Sequence, residues 1–99
     1  MVIVGFTSYP PESVKEFAKR YMDLPLLPAY IKMIGPYVSS EVDKGILTAT
    51  IFECDQSKLS EAMQVITARY TKYFGVPGYT YSVKIWLDSK EALKAIGMG

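Results

Sequence analysis

Residues 79–88, "YTYSVKIWLD", alternate as a β-strand requires. Tyr79, Tyr81, Val83, Ile85 and Leu87 fall on one face, and Thr80, Ser82, Lys84 and Trp86 on the other. The first set reads as core. The second mixes hydroxyls, an amine and the chain's only tryptophan. Whether that second face meets water, a cavity or a partner decides what kind of protein this is.

The segments before this strand supply the rest of a small two-layer fold. Residues 2–9 read as a first strand, with Val2, Val4 and Phe6 on one face and Ile3, Gly5, Thr7 and Tyr9 on the other. Pro10 and Pro11 then suit a helix start, and Ser13 with Glu16 has capping-box spacing. Val14, Phe17, Ala18, Tyr21 and Met22 repeat at helical spacing, and Pro25 and Pro28 end that helix. Residues 30–41 read as a second strand, confined by Pro36 to a sheet edge or a bulge. "VDKG" forms a hairpin turn with Gly45 at positive φ. The third strand, "ILTATIFEC", puts Leu47, Ala49 and Ile51 opposite Ile46, Thr48, Thr50, Phe52 and Cys54. A long helix follows from Asp55 or Ser57 to about Phe74, with Leu59, Ala62, Met63, Ile66, Tyr70, Tyr73 and Phe74 on its apolar stripe. Gly75 takes its C-cap, and after the last strand a short helix, "KEALKAI", closes the chain from an Asp88 or Ser89 cap.

The totals narrow the function. Ninety-nine residues make a single domain, 1–99. Apolar residues are 49% and charged residues 21%, an ordinary globular composition. A net charge of +1 offers no field for nucleic acid or an acidic membrane surface. One cysteine, Cys54, allows no internal disulfide and fits a reducing compartment. The start "MVIVGFTSYP" lacks a basic region and reads as a strand, not a signal peptide, and no window is apolar enough to span a membrane. The expected location is therefore cytoplasmic. Histidine and asparagine are both missing from the sequence. Ser-His and Cys-His pairs, imidazole acid–base work and His-ligated metal or haem are thereby removed. Neither a metal site nor a cofactor is expected.

Strand, helix, strand, strand, helix, strand, with right-handed crossovers, gives a split βαβ arrangement. The expected product is an α+β sandwich. Its four-stranded antiparallel sheet runs in spatial order four, one, three, two, with two helices on one face plus the short C-terminal helix. This order resembles the ferredoxin-like fold, and the chain's length and closing helix resemble the dimeric α/β-barrel superfamily. That resemblance implies a homodimer whose sheets face each other, with a cavity in each subunit between sheet and helices or within the barrel.

On this reading Val2, Val4, Phe6, Leu47, Ala49, Ile51, Tyr81, Val83 and Ile85 face the helices. The other side then carries Ile3, Gly5, Thr7, Thr48, Thr50, Phe52, Thr80, Ser82, Lys84 and Trp86. Such a face is too apolar for water and too rich in hydroxyls for a dry core. A mixed surface of this kind suits two sheets closing around a ligand. Lys84 is the candidate anchor for a negative group, with Thr48, Thr50 and Ser82 as hydrogen-bond donors and Trp86 and Phe52 as apolar walls. The same lysine on an edge strand also serves as a guard against sheet-to-sheet aggregation. Cys54 has no basic neighbour in sequence and reads as a small hydrophobe. The tyrosines on the core stripes, Tyr21, Tyr70, Tyr73 and Tyr81, need only a partner for each hydroxyl.

The better-known functions of ferredoxin-like folds find no support. An RNA-recognition module needs stacking rings where Ile46 and Thr48 stand, and an acylphosphatase needs an asparagine. A metal carrier needs a second cysteine. The expectation is a homodimer binding a small apolar or anionic ligand. The alternatives are a cofactor-free enzyme of isomerase, decarboxylase or oxygenase type, or a structural oligomerisation module. No positioned catalytic base is visible.

Overall fold

Gly45 turns the chain back on itself in the computed structural model of the protein, which describes residues 1–99. Its φ of 76° lies where side chains are disfavoured. It closes the hairpin between β2 (Lys32–Glu41) and β3 (Gly45–Glu53). β1 (Val2–Tyr9) pairs with β3 on one side and with β4 (Thr80–Trp86) on the other, all antiparallel. The sheet order is β2-β3-β1-β4, the expected order read from the opposite edge. Pro36 sits on an edge strand and also at an irregularity, because the β2–β3 register shifts between Ile34 and Tyr37. The fold is α+β, an open four-stranded antiparallel sheet with three helices, consistent with a ferredoxin-like arrangement.

The helices are α1 (Val14–Met22), α2 (Leu59–Thr71) and α3 (Ser89–Ala95). Of the two cap candidates, Asp88 caps α3, in a reciprocal box with Glu91. The Asp55 carboxylate accepts from the Ser57 N–H at 2.9 Å and starts the turn leading into α2. Ser13 behaves differently. Its hydroxyl donates to the Pro77 carbonyl at 2.6 Å instead of capping α1, so the start of α1 is tied to the loop before β4. None of the helices is long and apolar enough to cross a membrane.

The two sheet faces are the reverse of expectation on β1 and β3. Gly5 stands opposite Thr50 and Val83, Ile3 opposite Phe52 and Ile85, and Thr7 opposite Thr48 and Tyr81. Cross-strand partners share a face, so these residues form one row, and that row lies under α1 and α2. Ile3, Thr7, Tyr9, Thr48, Thr50 and Phe52 are all buried. Val2, Val4 and Phe6 pair instead with Trp86, Lys84 and Ser82 of β4, and Val4, Phe6 and Ser8 with Ile51, Ala49 and Leu47 of β3, on the side no helix covers. β4 keeps the expected phase. Alternation defines two faces but does not say which one the helices choose.

Two clusters make the core. Ile3, Ile31 and Phe52 pack with Ala62, Ile66 and Tyr70 of α2. Tyr9, Phe17, Tyr73 and Val76 form the second cluster, with the Phe17 ring stacked between Tyr9 and Tyr73 at 4.1 Å to each. The centre of the α2 stripe is thus as predicted, although Phe74 at its end is exposed. On α1 only Phe17 is buried, whereas Val14, Tyr21 and Met22 are exposed. Arg20 fixes α1 to its neighbour. It pairs with Glu16 at 2.9 Å and donates to the carbonyls of Lys72 and Phe74 just beyond α2.

Ile66 is completely buried and Gln64 is exposed. Ile66→Ala should cost about 2–5 kcal/mol, whereas Gln64→Ala should stay within about 0.5 kcal/mol. Urea unfolding midpoints compare the two, and equal midpoints would contradict the packing of α2.

Candidate functional site

A glycine in the middle of a central strand lets another group approach the sheet closely. At Gly5 that group is the Tyr70 ring, whose hydroxyl end occupies the space a Cβ would take. Tyr70 comes from the last turn of α2 and lies flat along the sheet, stacked on Tyr81 and edge-on to Phe52. It bridges α2 to the sheet. α1 reaches the sheet only through Phe17 on Tyr9, and beside that contact a cavity of about 210 Å³ lies beneath the helix.

The cavity floor is Thr7, Thr48 and Thr50 on the two central strands. Tyr9, Phe17, Phe52, Tyr70 and Tyr73 form aromatic walls, and Ala18, Tyr21 and Leu24 close the side of α1. Met33, Pro36 and Val38 approach from β2, and Arg69 is the single charged residue in the lining. Histidine is absent from the chain, and no carboxylate or thiol reaches the cavity.

The floor hydroxyls are buried but satisfied. Thr7 and Thr48 hydrogen-bond to each other, and the Tyr70 phenol lies against the Thr50 hydroxyl. Two threonine hydroxyls carry two hydrogens, and their mutual bond uses one. The remaining hydrogen is available to an acceptor in the cavity. Burial pushes the phenols of Tyr9, Tyr70 and Tyr73 up from their ordinary value, so they stay neutral donors at physiological pH. The Arg69 guanidinium opposes that rise at Tyr70 and Tyr73 without cancelling it. The arrangement can therefore grip an apolar body and donate hydrogen bonds to its oxygens.

The six residues expected to form one site divide between the two faces. Thr48, Thr50 and Phe52 line the cavity. Ser82, Lys84 and Trp86 stand on the uncovered face, opposite Phe6, Val4 and Val2. Lys84 is exposed on an edge strand, where the guard role fits it, and it has no access to the cavity. Trp86 meets Phe6 edge-on at 6.5 Å. Sequence reasoning missed Thr7, Tyr9, Tyr21, Arg69, Tyr70 and Tyr73 as cavity residues. Gly5, midway along a strand otherwise suited to a core, was the available signal. Cys54 lies outside the cavity, half-buried against the Ile3–Ile66 cluster.

The uncovered face is apolar over β1, β2 and β3 at its centre, and Ser8, Thr80, Ser82 and Lys84 make its β1–β4 side polar. Val2, Val4, Ile34, Leu47, Ala49 and Ile51 are half-buried by one another, while Phe6, Trp86 and Tyr37 are 42%, 49% and 61% exposed. Side chains of three carboxylates or thiols nowhere converge to hold a metal ion. Compared with known proteins, the chain matches no family model, no curated protein and no solved structure.

Tyr9, Tyr70, Tyr73 and Tyr79 all hold their protons above the ordinary phenol value because of burial. The unfolded chain releases those protons near pH 10 and the folded chain does not, so their contribution to stability is present below pH 10 and lost as pH rises above it. Absorbance of tyrosinate should show part of the tyrosines ionising first and the rest only as the protein unfolds. All eight ionising in one step near pH 10, with the fold intact, would contradict the buried aromatic cluster.

Proposed function

We propose that this protein binds a small, largely apolar organic ligand between its sheet and helices, and that it does so as a homodimer. The observation that carries the reading is the cavity: about 210 Å³, walled by aromatic rings over a floor of buried threonine hydroxyls. Sites for drug-sized ligands run from roughly 300 to 1,000 Å³, so the natural occupant is smaller, a one- or two-ring compound. Binding is favoured over catalysis because no histidine, carboxylate or thiol stands in the lining to act as a general base.

The homodimer follows from the opposite face. Phe6, Tyr37 and Trp86 are large and partly exposed, and with Val2, Val4, Ile34, Ala49 and Ile51 they form an apolar patch bordered by Ser82 and Lys84 on β4. Continuous apolar surface of this kind is typical of an interface. Two copies packed sheet to sheet would cover it and give the dimeric α/β-barrel arrangement that the element order resembles. Each cavity would then lie on the outer side of its own sheet, away from the interface.

Sedimentation equilibrium at micromolar concentration should give twice the 11.1 kDa mass of the chain. Trp86→Ala should weaken association by roughly 2 kcal/mol or more if Trp86 anchors the interface. A monomer at all concentrations would overturn the dimer.

Ligand-observed NMR with indole, 2-naphthol and benzoate tests the cavity. A binder present at 100 times its Kd should stabilise the fold by about 2.7 kcal/mol. Ala18→Phe, which fills the cavity from the α1 side, should abolish the effect. Compounds that shift no cavity tyrosine, or that bind Ala18→Phe equally well, would remove the reading.

A further inference from the structure

We propose that the occupant of the cavity is a small cyclic carboxylic acid, bound as its anion with the carboxylate on Arg69. The proposal rests on the cavity being a ligand site and names the chemistry of what enters it.

The chain has two arginines, and their surroundings differ. Arg20 is committed to the fold through Glu16 and the carbonyls of Lys72 and Phe74. Arg69 forms no ion pair, and its one hydrogen bond runs from Nη1 to the Pro25 carbonyl at 2.7 Å. A guanidinium has five N–H groups in a fixed fork. That single bond holds the side chain in place and leaves most of the fork without a protein acceptor. Arg69 is half-buried in the cavity wall, so these donors are neither fully solvated nor paired.

Its neighbours complete a site for a negative group. The phenols of Tyr70 and Tyr73 lie within the field of Arg69 and of Tyr21, and all four residues line the cavity. Three phenols and one guanidinium thus belong to one lining, with no carboxylate among the lining residues to repel an anion. Phe17, Phe52 and Leu24 line it elsewhere and suit an apolar ring.

Alternatives to a carboxylate fit less well. A cationic ligand would meet Arg69 with nothing to offset the repulsion. A neutral ligand filling the space would displace water from the guanidinium without replacing its hydrogen bonds, and that costs free energy. A phosphate monoester brings more negative charge than one arginine can match, and a nucleotide is too large for about 210 Å³. One planar carboxylate matches the fork of one arginine.

Matched pairs of near-identical shape provide the test: benzoate with benzamide, and 2-naphthoate with 2-naphthamide. Affinities are measured by NMR titration of the cavity tyrosine rings. Each acid should bind roughly tenfold or more tighter than its amide, the size expected of a charge-assisted hydrogen bond. Raising the salt concentration should narrow that gap. Arg69→Gln should bring the acid-to-amide affinity ratio close to one, and Arg69→Lys should retain part of the preference. Should Arg69→Gln fail to fold, the acid-to-amide ratio in the wild-type protein and its salt dependence decide alone. Amides binding as tightly as acids, with the same tyrosine shifts, would overturn the carboxylate assignment and leave the cavity as a ligand site. If none of the four compounds, indole or 2-naphthol binds, the ligand site itself falls and this proposal with it.

Discussion

The ring of Tyr70 lies where a side chain at position 5 would stand, and the fold depends on that exchange. Gly5 is midway along β1, a central strand, opposite Thr50 on one side and Val83 on the other. Without a Cβ there, a residue of α2 can reach the sheet itself and lie between Phe52 and Tyr81. That contact selects the covered face. Because side chains alternate strictly along a strand, fixing position 5 also places Ile3, Thr7 and Tyr9 beneath the helices and sends Val2, Val4 and Phe6 to the other side.

The cavity follows from the same geometry. α2 touches the sheet through Ala62, Ile66 and Tyr70, whereas α1 contributes only Phe17 to the core. Phe17 is clasped between two tyrosine rings, and Arg20 ties α1 to the carbonyls after α2. The helix is thereby held at its two anchor points with a space between it and the threonine floor. Buried hydroxyls cost little here because they bond to one another. The result is an uneven division of the sheet: the threonines of the two central strands are covered, and a patch of aliphatic and aromatic side chains around Phe6, Tyr37 and Trp86 is left bare. A ligand in the cavity and a second copy on the bare face would each answer one half of that division.

Much of the fold was legible because it rests on local chemistry. Hairpin, helix starts and strand spans follow from Gly45, Asp55, Asp88 and the apolar spacing of α2, and the strand order follows from the connections. The phase of β1 and β3 was not legible, because both of their faces carry enough apolar residues to pass for core. Preferring the more aliphatic face is sound for an isolated two-layer domain, and it fails when that face is left uncovered. The error divided the candidate site. Thr48, Thr50 and Phe52 were placed beside Lys84 and Trp86, although the registers Val4–Lys84 and Ala49–Phe6 put the two groups on opposite sides. A crossover strand such as β4 carries no hairpin to fix its parity against β1, so sequence alone could not expose the inconsistency. Arg69 was missed for another reason. It falls among exposed helix positions by periodicity, and only the tertiary fold turns it toward the cavity.

The most direct measurement is a nuclear Overhauser spectrum of the Tyr70 ring. If Tyr70 lies on Gly5, its ring protons should show strong cross-peaks to the Gly5 α-protons and the Thr50 side chain. The Gly5 α-protons should also be displaced by the ring current. Cross-peaks from Tyr70 to Val4, Phe6 or Ala49 instead would place the helices on the other face of the sheet and contradict the cavity, its floor and the bare apolar face together.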